Sequence, residues 1–432
     1  MATDGTRAPY TTQTAAGRSG RQSLDAEQTT CCVVGAGPAG AVLAYLLARQ
    51  GIPALLLEQH EDFDRDFRGD TLHPSVLEIM DELGLAGRLL QLPHTKLRTF
   101  TLQTTDGPFS PVDFGRLKTR FPYIALMPQA RFLEFMTAEA QRFPDFRLVM
   151  GATVQELVEE AGIVRGVRFR GHAGWQEVRA LLTVGADGRF SRIRRLAGFE
   201  PIRTSPPMDV LWFRLPRRPD DPPGVTGRLA PGRGVALLDR GDQWQVAYAF
   251  PKGGYQRLRA AGLEALRRSI SETAPELADR VECLTDWKQV SLLSVESNRC
   301  PRWYKPGLLL IGDAAHVMSP AGGVGINYAI ADAVAAANVL GRPLKTGRVA
   351  VRDLAAVQRR REWPTRIIQA LQTALQNTVL AGVLTSTNQL RVPWAVRALF
   401  RIPVLRDLPA RLLAFGIWPV HVASLPGMPR RE

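Results

Sequence analysis

A short apolar run, Cys31-Cys32-Val33-Val34, leads straight into Gly35-Ala36-Gly37-Pro38-Ala39-Gly40 and then into a helical stretch that reaches Gln50. Three glycines at this spacing let a chain leave a strand, turn tightly and start a helix packed close to the sheet. Gly51 stands where a helix C-cap is expected, and Ala54–Leu57 is a second apolar run that ends on an acid, Glu58. A parallel strand-helix-strand unit is the simplest topology. In such a unit the turn's N–H groups and the helix N-terminus face an anion. A carboxylate 23 residues after Gly35 can accept hydrogen bonds from a ribose diol. Gly35, Gly37, Pro38, Ala39, Gly40 and Glu58 are therefore candidates for a dinucleotide site, and by themselves they do not separate FAD from NAD.

Further along, apolar residues recur at helical spacing over 71–90, and 131–143 also reads as helix. Residues 98–103 alternate like a strand, with Asp106-Gly107 as a turn signal. Strand-like runs follow at 147–150 and 163–170, then a buried one at 181–184 that leads into Ala186-Asp187-Gly188. Between about 201 and 298 the texture changes to Pro-rich turns and alternating runs at 210–215, 235–239 and 243–250, with one helix at 263–273. This pattern reads as a separate, mostly antiparallel sheet. The α/β texture returns with an apolar strand at 307–311 and an Ala-rich helix reaching Leu340. From Asp353 the chain reads as helix broken at Pro364, Pro393, Pro403 and Pro409.

Composition narrows the classes. The 432 residues are enough for two or three domains, and 45% apolar content with 38 Gly and 31 Pro is that of a folded chain rather than a disordered or collagen-like one. The net charge of +14 comes almost wholly from arginine, since only six of the 55 basic residues are lysine, and it is spread along the chain. No nucleic-acid-binding motif accompanies it, which argues against a nucleic-acid partner. Cys31, Cys32, Cys283 and Cys300 lack metal or redox spacing, so no metal site is expected and a reducing cytoplasm fits best. Residues 1–28 lack an apolar stretch and read as a disordered tail, not a signal peptide. The apolar stretches near the C-terminus are interrupted by Arg391, Arg397 and Arg401, short of the ~20 residues of a spanning helix.

Four more motifs, set far apart, carry a resemblance. Arg68-Gly69 precedes the helix that starts at Pro74; Gln129 follows Met127-Pro128; Gly185-Ala186-Asp187-Gly188 is followed by Ser191 and Arg194; and Gly312-Asp313-Ala314-Ala315-His316 is followed by Pro320, Gly322, Gly323, Gly325, Ile326 and Asn327. With the glycine turn, these make the chain resemble the FAD-dependent aromatic hydroxylases, the group A flavoprotein monooxygenases of the para-hydroxybenzoate hydroxylase type, over about 31–364. The resemblance implies that Arg68 contacts the FAD pyrophosphate, Gln129 the ribityl chain, and Asp187 with Gly188 a second FAD and NAD(P)H fingerprint. It also implies that Asp313 binds the ribityl hydroxyls, and that Pro320 to Asn327 hold the flavin's pyrimidine edge at a helix N-terminus, where N–H groups favour developing negative charge.

The fold implied is α/β: a Rossmann-like FAD-binding domain (29–97, 129–200 and 299–364) interleaved with a mostly antiparallel β-sheet substrate domain (98–128 and 201–298), with a C-terminal helical region (365–432). The activity implied is a monooxygenase that uses NADH or NADPH and O2 to hydroxylate an aromatic or polyketide-like small molecule through a flavin hydroperoxide, as a monomer or homodimer without a membrane span. His73 is the candidate catalytic or substrate-contacting group, because removing a phenol's proton assists its hydroxylation. Trp212, Phe213, Arg214, Trp244 and Tyr248 stand in alternating runs on strands and read more readily as core than as pocket, so no substrate residue is assigned. Two other flavoprotein classes stay open: a non-oxygenating reductase or scaffolded cyclase, and a halogenase. No W-x-W-x-I-P motif supports the halogenase, since none of the eight tryptophans lie two apart.

Overall fold

The computed structural model describes residues 26–64, 71–104, 106–204, 206–222, 224–380 and 394–423. Most of the expected tail, Arg68 with Gly69, and part of the C-terminal region lie outside the described residues.

The apolar runs assemble the central sheet, in the order Tyr304–Lys305, Leu308–Leu310, Gly174–Gly185, Ala26–Val34, Ala54–Leu57 and Phe146–Val149. All pairs are parallel except the first. Thr153–Glu160 and Ile163–Gly171 extend Gly174–Gly185 as an antiparallel meander. Period-two alternation sends Cys31 and Val33 into the core under the helices, and Cys32 and Val34 into a second core beneath the meander, with Phe169 and Trp303. Both cysteines are fully buried, and burial pushes the Cys31 thiol up to about 12.

The helices, in chain order, are α1 (Pro38–Arg49), α2 (Pro74–Glu82), α3 (Ala86–Leu89), α4 (Gln129–Ala140), α5 (Arg192–Leu196), α6 (Tyr255–Ala261), α7 (Leu263–Thr273), α8 (Gly325–Lys345) and α9 (Val351–Leu375). Two C-terminal helices follow, Trp394–Leu399 and Pro403–Phe415. Helix α1 packs between α8 and α4, and α9 lies on α8. One helical segment, Ala321–Lys345, is long and apolar enough to cross a bilayer, but 72% of that stretch is buried inside the fold.

A seven-stranded sheet forms the second layer system, in the order Ser291–Leu293, Met208–Pro216, Gln243–Pro251, Arg233–Asp239, Val225–Ala230, Thr99–Thr104 and Gly107–Asp113. It is antiparallel apart from one parallel pair, Val225–Ala230 with Thr99–Thr104. Helix α7 covers one face through Leu266 and Ile270. A small third sheet pairs Ile124–Leu126 with both Thr71–Leu72 and Thr95–Leu97.

Four expectations change. Residues 26–28, assigned to the tail, are strand, because their backbone pairs with Glu177, Val178 and Arg179. The helical spacing over 71–90 does not make one helix: α2 starts at Pro74, as its motif implies, and stops at Glu82, because Thr71–Leu72 is drawn into strand pairing and Gly84 takes φ +72° just beyond the helix. Pro364 does not break the C-terminal helix, since α9 runs through it with the ring buried against the fold. Packing there outweighs the one lost backbone bond. Pro409 likewise sits inside Pro403–Phe415, with Ala410 and Ala414 buried to hold the turn.

Candidate functional site

The glycine turn shows what each glycine is for. A Cβ on Gly40 would stand 1.9 Å from the carbonyl oxygen of Gly35, and one on Gly35, at φ +100°, would stand 2.6 Å from that of Ala186. These two positions are glycine because backbone passes against backbone. Gly37 differs, because a Cβ there would meet only one atom, 4.0 Å away. It lies at the head of α1, with φ −68° and no side-chain cap, ahead of Pro38 and the buried Ala39. Nothing among the described residues requires glycine at this point, which leaves room beside the helix N–H groups where an anion is favoured. Glu58, 3% exposed at the end of its strand, accepts from the Ala36 N–H at 2.8 Å and the His60 N–H at 3.1 Å. It thereby ties the acid to the turn it serves.

The second fingerprint stands at the start of α5. The Asp187 carboxylate accepts from Ser191 Oγ at 2.5 Å and from the N–H groups of Arg192 and Ile193 at 2.6 and 3.0 Å, which commits it to the start of α5. Gly188 makes the turn at φ +79°. Arg194, buried, donates to the carbonyls of Asp313 and Ala314 at 3.3 and 3.1 Å and so fastens α5 to the next site segment.

That segment, Gly312–Ala314, is a single 3₁₀ turn at the carboxyl edge of the parallel sheet, where α/β ligands bind. It hangs on a residue that sequence reasoning missed, Asp332 of α8. The Asp332 carboxylate is fully buried and accepts from the Gly312 N–H at 3.0 Å, from His316 Nε2 at 2.6 Å and from Arg361 Nε at 2.8 Å. Burial alone would raise its pKa, but His316 and Arg361 overcome that and hold it below the usual carboxylate range. Arg361, 2% exposed on α9, also stacks 5.3 Å from the Tyr328 ring centre, and Trp303 lies 4.9 Å from His316. One sequence signal existed: Asp332 is the lone charge in an otherwise apolar helical stretch, where an acid needs a buried partner.

The segment from Pro320 to Asn327 is a 3₁₀ turn that leads into the start of α8. Gly322 and Gly323 take φ +82° and +64°, and α8 starts at Gly325 with no side-chain cap. A Cβ on Gly325 would meet only Met318 at 4.0 Å, so this helix end, like that of α1, is open to a ligand. Ile326 is 9% exposed. Asn327 Oδ1 accepts the His73 N–H at 2.9 Å, and Thr71 Oγ1 donates to the Gly323 carbonyl at 2.8 Å, so the cradle is bound to the start of α2. The third sheet brings Gln129, first residue of α4 and half-buried, to the same side.

His73 is fully buried. Its Nδ1 donates to the Leu413 carbonyl at 2.6 Å, and its ring meets Phe114 edge-on at 6.3 Å. Because a carbonyl can only accept, the proton is on Nδ1, and Nε2 is a lone pair with no partner among the described residues. Burial brings its pKa down to about 4, so the ring is neutral at physiological pH. No cluster of metal-ligating residues occurs among the described residues.

Two helix N-termini without a side-chain cap, an uncrowded Gly37, the buried acid Glu58 and the Gly312–Ala314 turn fit FAD. The sequence agrees: residues 28–370 match the FAD binding domain family, and the chain belongs to it. It is 35% identical over 409 residues to 6-methylpretetramide 4-monooxygenase of Streptomyces rimosus, covering 94% of this chain and 96% of the relative. Among solved structures it is similar to an anhydrotetracycline hydroxylase from the same organism, at TM-score 0.71 and 25% identity over 90% of this chain and 76% of that one. A flavin-dependent brominase shares the fold at TM-score 0.72 and 16% identity, covering 90% and 93%. The chain is an FAD-dependent monooxygenase.

The two kinds of glycine separate by substitution. Gly37→Ala is expected to keep the thermal midpoint within about 3 °C of wild type while weakening FAD binding about tenfold or more. Gly40→Ala, which meets backbone, is expected to lower both. Calorimetry with FAD titration of the apoprotein checks this, and equal FAD affinity in Gly37→Ala contradicts the assignment. Asp332→Asn leaves Arg361 buried without its counter-charge, and a loss of about 3–5 kcal/mol is expected in denaturant unfolding.

Proposed function

We propose that this chain hydroxylates a fused-ring, polyketide-derived aromatic, using NADH or NADPH as reductant. The balance is substrate C–H plus O2, NAD(P)H and a proton giving substrate C–OH, water and NAD(P)+. The observation that carries the reading is the near full-length match to a pretetramide 4-monooxygenase, together with a cradle whose open positions suit FAD. FAD, when bound, supplies the redox chemistry, and the protein supplies position, electrostatics and exclusion of water. Gly35 to Gly40 and Glu58 hold the pyrophosphate and ribose; Arg68 and Gln129 add contacts along the chain; Asp313 takes the ribityl hydroxyls. The N–H groups of Gly325, Ile326 and Asn327 favour negative charge on the pyrimidine ring. Asp187 and Gly188 shape the turn beside the cofactor.

His73 is the candidate acceptor for the substrate's hydroxyl through Nε2, which is closed to solvent beneath Leu413 and near Gly323, so this contact requires its cover to open. The ring's low basicity suits this role better than full proton removal. Four free cysteines, three of them buried, agree with a reducing cytoplasm.

The test is turnover under 18O2 with NADH or NADPH and a panel of fused-ring phenols. One labelled oxygen in the product, coupled to nicotinamide oxidation, is the expected result. Nicotinamide oxidation that yields only hydrogen peroxide with every phenol contradicts the reading. In rapid-mixing experiments His73→Ala is expected to slow oxygenation about tenfold or more and flavin reduction little. Equal slowing of both half-reactions would assign His73 to structure alone.

A further inference from the structure

The two faces of the seven-stranded sheet are built from different residues. Side chains alternate along each strand. One face presents Leu211, Phe213, Val235, Leu237, Val246 and Tyr248, all buried against α7. The register defines what the other face carries. One row across the sheet reads Ser291, Trp212, Ala247, Ala236, Gly227 and Leu102, and the next reads Leu293, Val210, Ala249, Gly234 and Leu229. The middle of this face is therefore alanine and glycine, at the centre of a wide sheet where strands usually bear their largest apolar residues or, toward water, polar ones.

The missing volume is only partly refilled by the protein. Leu102 and Phe100 fold over Gly227, 2.8 and 3.1 Å from where its Cβ would lie, and Leu229 folds over Gly234 at 2.8 Å. Ala236, Ala247 and Ala249 stay partly exposed, Ala247 and Ala249 packing with Trp212 beside the Met208, Val210 and Val295 cluster. The result is a floor of three alanines, walled by Trp212 on one side and by Leu102 with Phe100 on the other. The strands carrying these walls are four steps apart, about 19 Å, which is wide for a single ring and suits a fused one.

Both ends of this face are tied to the cofactor side. At one end Met208 and Val210 pack on Val295, and the strand that follows, Ser297–Arg299, pairs with His316–Val317 beyond Asp313. At the other end Val225, Leu238 and Phe100 pack with Phe114, which meets His73, and with Ala410 and Ala414 of the C-terminal helix.

We infer that this alanine floor selects substrates by shape, admitting flat fused-ring molecules, with Ala236, Ala247 and Ala249 as specificity-determining residues. The inference rests on the fused-ring reading proposed above. A flat ring system lying on the floor covers apolar surface that no side chain covers. Adding a branched side chain at Ala247 raises the floor under a wide ligand, whereas a single ring has room to move aside.

The test uses FAD-loaded protein and equilibrium dialysis against 1,8-dihydroxyanthraquinone and, separately, 4-hydroxybenzoate. Ala247→Leu is expected to weaken the three-ring probe about 10- to 100-fold, to change the single-ring probe less than about threefold, and to keep its FAD content. Unchanged affinity for the three-ring probe, or equal weakening of both, overturns the inference and leaves the proposed function standing. Failure of the wild-type protein to bind the three-ring probe overturns the fused-ring reading, and the inference with it. Should Ala247→Leu purify without FAD, Ala236→Val, a smaller enlargement on the neighbouring strand, is read by the same outcomes.

Discussion

A carboxylate that never meets water holds the cofactor side of this molecule together. Asp332 takes hydrogen bonds from three separate segments: the Gly312 turn at the end of a sheet strand, His316 just beyond it, and Arg361 on α9. Because burying an unpaired charge is costly, the arrangement is stable only when all three partners are in place. That requirement makes the position of Asp313 depend on the middle of α8 and on α9, well away from the start of α8 at Gly325. Arg194 adds a second fastening from the opposite direction, through the carbonyls of the same turn.

Around this knot the cradle is assembled by backbone contacts. Gly35, Gly40 and Ala186 bring two strand ends and a helix closer than side chains would allow. Asn327 and Thr71 bind the second helix start to the segment bearing His73. Two helix N-termini thus stand without a side-chain cap among the described residues. Donors left in this way mark a ligand site more firmly than the sequence motif alone, since each orphan N–H needs a partner.

The layer around the cofactor is common to enzymes of different chemistry, as the brominase of the same fold illustrates. What distinguishes one such enzyme from another is the surface opposite the cofactor. The surface proposed for that role is a sheet whose helix-facing side has conventional large residues, while the centre of its other side is reduced to alanine and glycine. The C-terminal helix Pro403–Phe415 closes one end, with Leu413 reaching both Gly322 and His73.

Much of the cofactor half is legible in the amino-acid sequence. Strand, glycine turn, helix and terminal acid follow one another within a short stretch, and local periodicity and glycine spacing report such geometry directly. The mostly antiparallel sheet and helix 263–273 are legible for the same reason. Other features depend on partners distant in sequence. Thr71 and Leu72 leave the helix pattern because Ala125 and Leu126 pair with them, and α9 runs through Pro364 because packing compensates the lost bond. Asp187 turns to cap α5, a choice its motif does not encode. The Asp332 knot and the alanine floor are invisible in the sequence for one physical reason: each joins residues from several strands or helices. Sequence determined the local turns and the ligand chemistry they allow, and only tertiary packing decided which buried charges meet and which face of the sheet stays bare.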